Sequence, residues 1–353
     1  MRKEQAHMPG EKTLWTAEED SLEDLTEAYY SHVSREDLWS VSAQEQIERV
    51  RAHVELAASR TTSEPRAAVV TVGRRSIVLV VTDDMPYLVD SVTAEVTRNG
   101  HAMSLVVHPV LLTSRSRDSR SLLAVKSVPA PERGLSSGDT QTLPDISALL
   151  ADENRTALES WIAVELDQVV DEEASQQLVD GLYQVLEDVK SSNRDQERMA
   201  ARSRGAAGLL REAEDLADSD EAADLLDWMA DGNFLFLGYR EYELSTQVES
   251  DGSWEPVPGT GLGVLAERSG QGALERAAET LAAAPGGSPE ERNGLVITKA
   301  NSRSTVRRRT YMDYVAVKTY GPDGSVRGER RFVGLFSQSA YTQSIVNIPL
   351  LRH

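Results

Sequence analysis

The sequence contains no cysteine, which removes disulfides, thiolate nucleophiles and cysteine metal ligands together and fits a reducing, cytoplasmic compartment. No apolar stretch approaches the roughly 18 to 20 residues that would span a bilayer. Positive charge is in deficit: 37 Lys+Arg stand against 57 Asp+Glu, a net charge of -20. Such a field repels phosphate backbones and anionic lipid heads, so neither nucleic acid nor membrane is an expected partner. Histidine is scarce, at His7, His32, His53, His101, His108 and His353, and no pair has the i, i+4 spacing that sets two imidazoles on one metal. The phosphate-binding G-x-x-x-x-G-K-[ST] loop is missing too. Residues Met1 to Thr16 mix charge with little apolar content, so they lack the core of a signal peptide and are expected to be disordered.

What is present implies more than one folded unit, since 353 residues exceed the roughly 250 to 300 at which one core stops growing. Two short amphipathic helices are predicted from Leu22, Leu25, Tyr29 and Val33 and from Ile47, Val50, Val54 and Ala57. After the break at Thr61 to Pro65, Arg66 to Val72 and Ser76 to Val81 read as paired strands around a turn at Gly73. A helix follows, with Leu88, Val92 and Val96 repeating until Gly100. Ala102 to Thr113, Leu122 to Val128 and Ser160 to Leu166 are predicted strands, and Ala130 to Asp145 a loop excursion. The helix Glu172 to Lys190 is expected to stop at Ser191-Ser192-Asn193. A helical connector, Gly208 to Met229, precedes strands at Asn233 to Leu244, Leu295 to Lys299, Tyr311 to Tyr320 and Glu329 to Phe336. Pro322-Asp323-Gly324 is the turn between the last two. On the first of these strands Phe234, Phe236, Gly238, Arg240 and Tyr242 share one parity. The class is α+β, and the first unit reads β(β)αβ(β)βα.

Motifs with chemistry are few. Gly261-Leu262-Gly263-Val264-Leu265-Ala266 satisfies the dinucleotide pattern G-x-G-x-x-A by letter, but Trp254-Glu255-Pro256-Val257-Pro258 precede it and Ser269-Gly270 follow, so a loop is expected. Gly134 to Gly138 matches a nucleophile elbow around Ser136, yet it lies in the polar excursion. Lys299, Arg303, Arg307, Arg308 and Arg309 form one concentrated basic stretch, either an interface for an anion or acidic subunit or a solvated strand edge. The segment Thr82 to Ser91, TDDMPYLVDS, joins a buried strand to a helix start. Asp83, Asp84, Tyr87 and Leu88 there could face a small ligand, or the two aspartates could cap the helix that Pro86 begins. No residue set for catalysis or cofactor binding emerges.

TDDMPYLVDSVTAEVTRNGHAMSLVVHPVL, DGNFLFLGYREYEL, ITKANSRSTVRRRTYMDYVAVKTY and GERRFVGLFSQSAYTQSIVNIPLLR, with AYYSHVSREDLW from Ala28 to Trp39, resemble the amino-terminal region of the large bacterial NAD-specific glutamate dehydrogenases. The resemblance implies an ACT-like (ferredoxin-like) βαββαβ-type domain, a helical connector and a mainly antiparallel PAS-like sheet domain. The implied layout is a disordered 1–20, a helical lead-in 21–64, the ACT-like domain 65–205 with its excursion at 114–157, a connector 206–231 and a PAS-like domain 232–353 that is truncated at its end. It further implies regulation and homotetramer assembly, with NAD and catalysis belonging to a domain downstream. Other subunits and a small amino-acid effector are the implied partners. Many amino-acid-binding ACT domains carry glycine where this turn has Met85-Pro86-Tyr87-Leu88.

Overall fold

A computed structural model describes residues 12–19, 21–60, 64–116, 118–128, 155–212, 218–244, 254–267 and 294–351. The nucleophile-elbow serine, Ser136, and most of the polar excursion lie outside them. The chain divides into two compact units, Met1–Leu186 and Glu187–His353.

In the first unit the hydrophobic alternation becomes one seven-stranded antiparallel sheet. Its strands are β1 (Thr13–Thr16), β2 (Arg66–Val72), β3 (Arg75–Asp83), β4 (Met103–Val107), β5 (Val110–Arg115), β6 (Leu122–Lys126) and β7 (Arg155–Leu166). They are ordered β1-β6-β5-β7-β3-β2, and β4 shares with β5 one side of the long β7. Gly73, at φ 61, turns β2 into β3 with Val72 opposite Arg75. β3 is buried on both faces because it is central. Ile77, Leu79 and Val81 pack with Trp161 and Ala163 of β7 against α1 (Glu23–Tyr29) and α2 (Ala43–Ala58). α2 starts at a reciprocal Ser42–Glu45 capping box. Val78, Val80, Ile162 and Val164 of opposite parity are equally buried. They face the side of Ser76, whose hydroxyl accepts the Val170 N–H just before α4 (Glu172–Glu212). α3 (Leu88–Arg98) buries Leu88, Val92 and Val96.

The run β3, α3, β4–β5, β7, α4 sets two parallel strands on either side of an antiparallel β7, as the ferredoxin-like expectation requires. It differs from a plain βαββαβ order in two places. β2, which flanks β3, precedes it in sequence, and β6 is interposed as an extra hairpin strand. The expected disorder of the first residues is corrected for Thr13–Thr16, which pair with β6 because Leu14 and Trp15 are buried in the core.

The second unit builds a six-stranded antiparallel sheet from β8 (Phe234–Leu244), β9 (Trp254–Pro256), β10 (Leu262–Gly263), β11 (Leu295–Arg303), β12 (Tyr311–Tyr320) and β13 (Val326–Phe336), ordered β10-β8-β13-β12-β11 with β9 also on β8. Met199, Ala206 and Leu210 of α4 pack with Leu225 and Leu226 of α5 (Ser219–Trp228) on Phe234, Phe236, Tyr239, Val315 and Phe332. Leu265, Ala300, Tyr314, Ala316 and Val333 form a smaller core.

Two expectations are corrected here. The helix does not stop at Ser191-Ser192-Asn193; α4 runs through them to Glu212. Their side chains are satisfied: Ser191 Oγ donates to Asp188 O and Asn193 Nδ2 to Val189 O within the helix, and Ser192 Oγ to Leu237 O of β8. Simple alternation along β8 also fails. Val333 pairs with Gly238 but Gly334 with Phe236, so Leu237 is a bulge that moves Tyr239 onto the face of Phe234 and Phe236. The Leu237 carbonyl, released from the ladder, accepts Val264 N–H at 2.8 Å and Ser192 Oγ at 3.1 Å.

Candidate regulatory site

β3 ends at Asp83 and α3 begins at Leu88, so the turn lies beside Glu159 and Ser160 of β7, the register partners of Asp83 and Thr82. The Asp84 N–H donates to Leu158 O at 3.0 Å, which pins the turn to β7. Beneath it sits a carboxylate removed from water. Glu159 is 0% exposed; its Oε1 receives Arg60 at 2.7 Å and Arg115 Nε at 2.8 Å, and its Oε2 receives a second Arg115 nitrogen at 3.0 Å. Burial pushes the Glu159 carboxyl up, but the hydrogen bonds and charge of Arg115 and the charge of Arg60 outweigh it, leaving the pKa lowered. The same guanidiniums hold backbone: Arg115 donates to Ala57 O and Arg60 O at the end of α2, and Arg60 Nε to Glu64 O.

The turn residues hang from this base. Asp83 takes the other nitrogen of Arg60 at 2.7 Å. Asp84 accepts the Ser160 hydroxyl at 2.5 Å, and Ser160 Oγ lies 3.0 Å from His108 Nε2. Since the serine proton goes to Asp84, His108 must be the donor and carries its proton on Nε2. The His108 N–H in turn donates to His32 Nε2 at 3.1 Å. Burial lowers the His108 pKa, Asp84 opposes it, and His32 adds to the lowering. Tyr87 occupies the left-handed region at φ 71, with no glycine to relieve the strain, and its carbonyl accepts the Ser91 hydroxyl at 2.5 Å. The reading in which Asp83 and Asp84 cap α3 is corrected: the helix start has no side-chain cap, because both carboxylates turn to Arg60 and Ser160. Leu88 is buried at 2% and packs inward.

The basic stretch lies at the β11–β12 hairpin. Lys299 pairs with Asp313 at 2.5 Å. Arg303 sits over the Tyr311 ring at 5.1 Å and Arg308 over Tyr341 at 5.9 Å. Arg307 turns the loop at φ 66, and Arg309 is exposed. Gly261 to Ala266 form the short β10 and a turn, and no helix begins within these residues. A Cβ on Gly263 would stand 2.1 Å from Leu237 O, and one on Gly261 2.4 Å from Leu265 O, so close backbone packing accounts for both glycines. Among the described residues no group of three His, Asp or Glu could hold a metal, and no helix is long and apolar enough to cross a membrane.

Sequence reasoning missed Arg60, Arg115 and Glu159. The one available signal was a carboxylate beside Ser160, Trp161 and Ile162 in an otherwise apolar strand, where an unpaired charge would be costly.

The antiparallel sheet with its β3–α3 turn and flanking helices defines an α+β fold with an ACT-like domain. Residues 25–182 match the family model described as glutamate dehydrogenase, ACT1 domain. The chain is similar to the NAD-specific glutamate dehydrogenase of Halomonas elongata, 30% identical over 282 residues, which are 78% of this chain and 16% of that protein. Similar proteins of that name come from Pseudomonas aeruginosa, 30% identical over 278 residues (76% and 15%), and Mycobacterium tuberculosis, 30% over 272 residues (75% and 14%). The amino-terminal region therefore resembles the ACT domain of the NAD-specific glutamate dehydrogenase family, and the chain spans about a sixth of the curated relatives' length.

Proposed function

We propose that this chain is a regulatory and assembly segment of an NAD-dependent glutamate dehydrogenase. The reaction, L-glutamate with NAD and water to 2-oxoglutarate, ammonia and NADH, belongs in this reading to a catalytic domain downstream, in a cytoplasmic homotetramer. The observation that carries it is the match of residues 25–182 to the ACT1 domain within an alignment that takes up 78% of this chain but 16% of a full dehydrogenase. The sheet unit from β8 onward is the PAS-like part of the same reading. Reading the coding sequence beyond His353 tests it: an open frame continuing into a dehydrogenase domain is expected, and an immediate stop with no such domain nearby would remove it.

A second reading, a free-standing amino-acid sensor, draws on the uncapped start of α3, where free N–H groups suit a carboxylate, beside Asp83 and Asp84, which suit an ammonium. Against it, both aspartates already have partners. Calorimetry with a panel of L-amino acids decides; no heat at millimolar ligand would rule the sensor out.

A further inference from the structure

The arginine loop combines two properties that a solvated strand edge lacks. It is held rigidly: Ser304 and Val306 are buried, Ser304 N–H donates to Thr310 O, Thr310 N–H to Arg308 O, and Thr305 donates to Asp188 at 2.8 Å. Yet Arg303, Arg308 and Arg309 are exposed, and among the described residues none of the three meets a carboxylate. Arg303 and Arg308 lie over tyrosine rings that are themselves 46% and 64% exposed. Preorganised arginine on exposed tyrosine is the composition enriched at protein interfaces.

The complementary surface is on this same chain. The first turns of α4 carry Glu172, Glu173 and Asp180, which with Gln176 and Gln177 form one open helix face. Among the described residues Glu173 accepts from Gln177 at 3.4 Å and Asp180 from Gln176 at 2.8 Å. No cation pairs with the three carboxylates among the described residues. A chain of net charge -20 repels its own copies unless local charge is complementary, and it repels a polyanion altogether.

We propose that the arginine loop of one copy docks on the acidic face at the start of α4 of a second copy, Arg308 and Arg309 meeting Glu172 and Glu173. The inference rests on the assembly reading above and names its surfaces. Loop and helix start are different patches, so two copies exchange the contact reciprocally about a two-fold axis or pass it head to tail until a ring closes.

Sedimentation velocity on the 353-residue chain tests it. The wild-type chain is expected to self-associate, less so as salt rises. Arg308→Glu/Arg309→Glu and Glu172→Arg/Glu173→Arg should each weaken association roughly a hundredfold, since like charges are then juxtaposed. Mixing the two variants makes both contacts complementary again, wild-type loop on wild-type acids and reversed loop on reversed acids, and should restore association at 1:1 stoichiometry, which also shows that both are folded. A wild-type chain that stays monomeric removes the assembly reading and this inference together. Association that survives both reversals, or a mixture that stays monomeric, overturns the inference alone.

Discussion

Arg115 grips Glu159 through two parallel hydrogen bonds, Nε to Oε1 at 2.8 Å and a terminal nitrogen to Oε2 at 3.0 Å, while Arg60 takes Oε1 from the other side. Glu159 and Asp83 together balance the two buried guanidiniums, which also close the end of α2. Glu159→Gln keeps the shape and removes the charge, leaving Arg115 buried without a carboxylate and Arg60 with Asp83 alone. The first unit should lose about 3–5 kcal/mol, read as a drop in urea midpoint. A loss within error would show that the clamp contributes nothing.

Acid should weaken the first unit through His53. Its Nδ1 faces the Tyr29 hydroxyl at 2.7 Å, its Nε2 the Val80 carbonyl at 3.1 Å, and its ring stacks on Trp161. Burial pulls its pKa from 6.5 down to about 4, against the smaller raising effects of the Val80 hydrogen bond and Glu159. The unfolded chain therefore binds the proton first: the contribution is complete above pH 6.5 and is lost as pH falls toward 4. The full loss is about 3 kcal/mol. Urea midpoints at pH 7 and pH 5 should diverge in the wild type and less so in His53→Gln, with the lowered His108 and His32 supplying a residual slope of the same sign. Identical slopes would exclude His53 as the cause.

Gly263→Ala should cost the second unit about 3 kcal/mol, because the new Cβ meets the Leu237 carbonyl oxygen and φ stays at 61. Gly259 is the control: it has φ 77 but nothing within 4 Å of its Cβ, so its alanine variant should lose only about 1 kcal/mol, the strain of the left-handed backbone. Thermal melts of both variants compare the two, and equal losses would mean that the close approach is not what matters.

Arg331 and Glu329 are both buried, joined at 2.8 Å, with the guanidinium 4.0 Å from the centre of the Tyr242 ring. Removing either partner alone strands the other's charge. Arg331→Met and Glu329→Leu should each destabilise by about 3 kcal/mol or more, and the double variant by less than their sum. Strict additivity in a double-mutant cycle would disprove the coupling.

Much of the fold was legible where signals are local. Gly73 between two β-branched runs announces the β2–β3 hairpin, and Pro322-Asp323-Gly324, with Gly324 at φ 77, announces the β12–β13 turn. Tertiary contacts decided the rest. Ser191 to Asn193 read as a helix stop because their side chains compete with helical backbone in isolation, and nothing nearby reveals that Ser192 is awaited by a carbonyl 45 residues on. Thr13–Thr16 are too short and polar-flanked to show strand periodicity, and only Leu14 and Trp15 reaching the core make them one. At the turn, Asp83 and Asp84 were identifiable as unusual, but their partners were not. Arg60 is 23 residues from Asp83 and 99 from Glu159, separations that leave no pattern in a single sequence.

The extra residue at Leu237 gives β8 a change of phase partway along its length. Upstream, even-numbered side chains meet the helices; downstream, the odd-numbered Tyr239 does, and Arg240 and Tyr242 go to the side of Arg331. Were the bulge straightened with Leu237 kept, strict alternation would drive Arg240 toward the phenylalanines and turn Tyr239 away from them. One position thus keeps the two halves of the strand compatible with a single sheet.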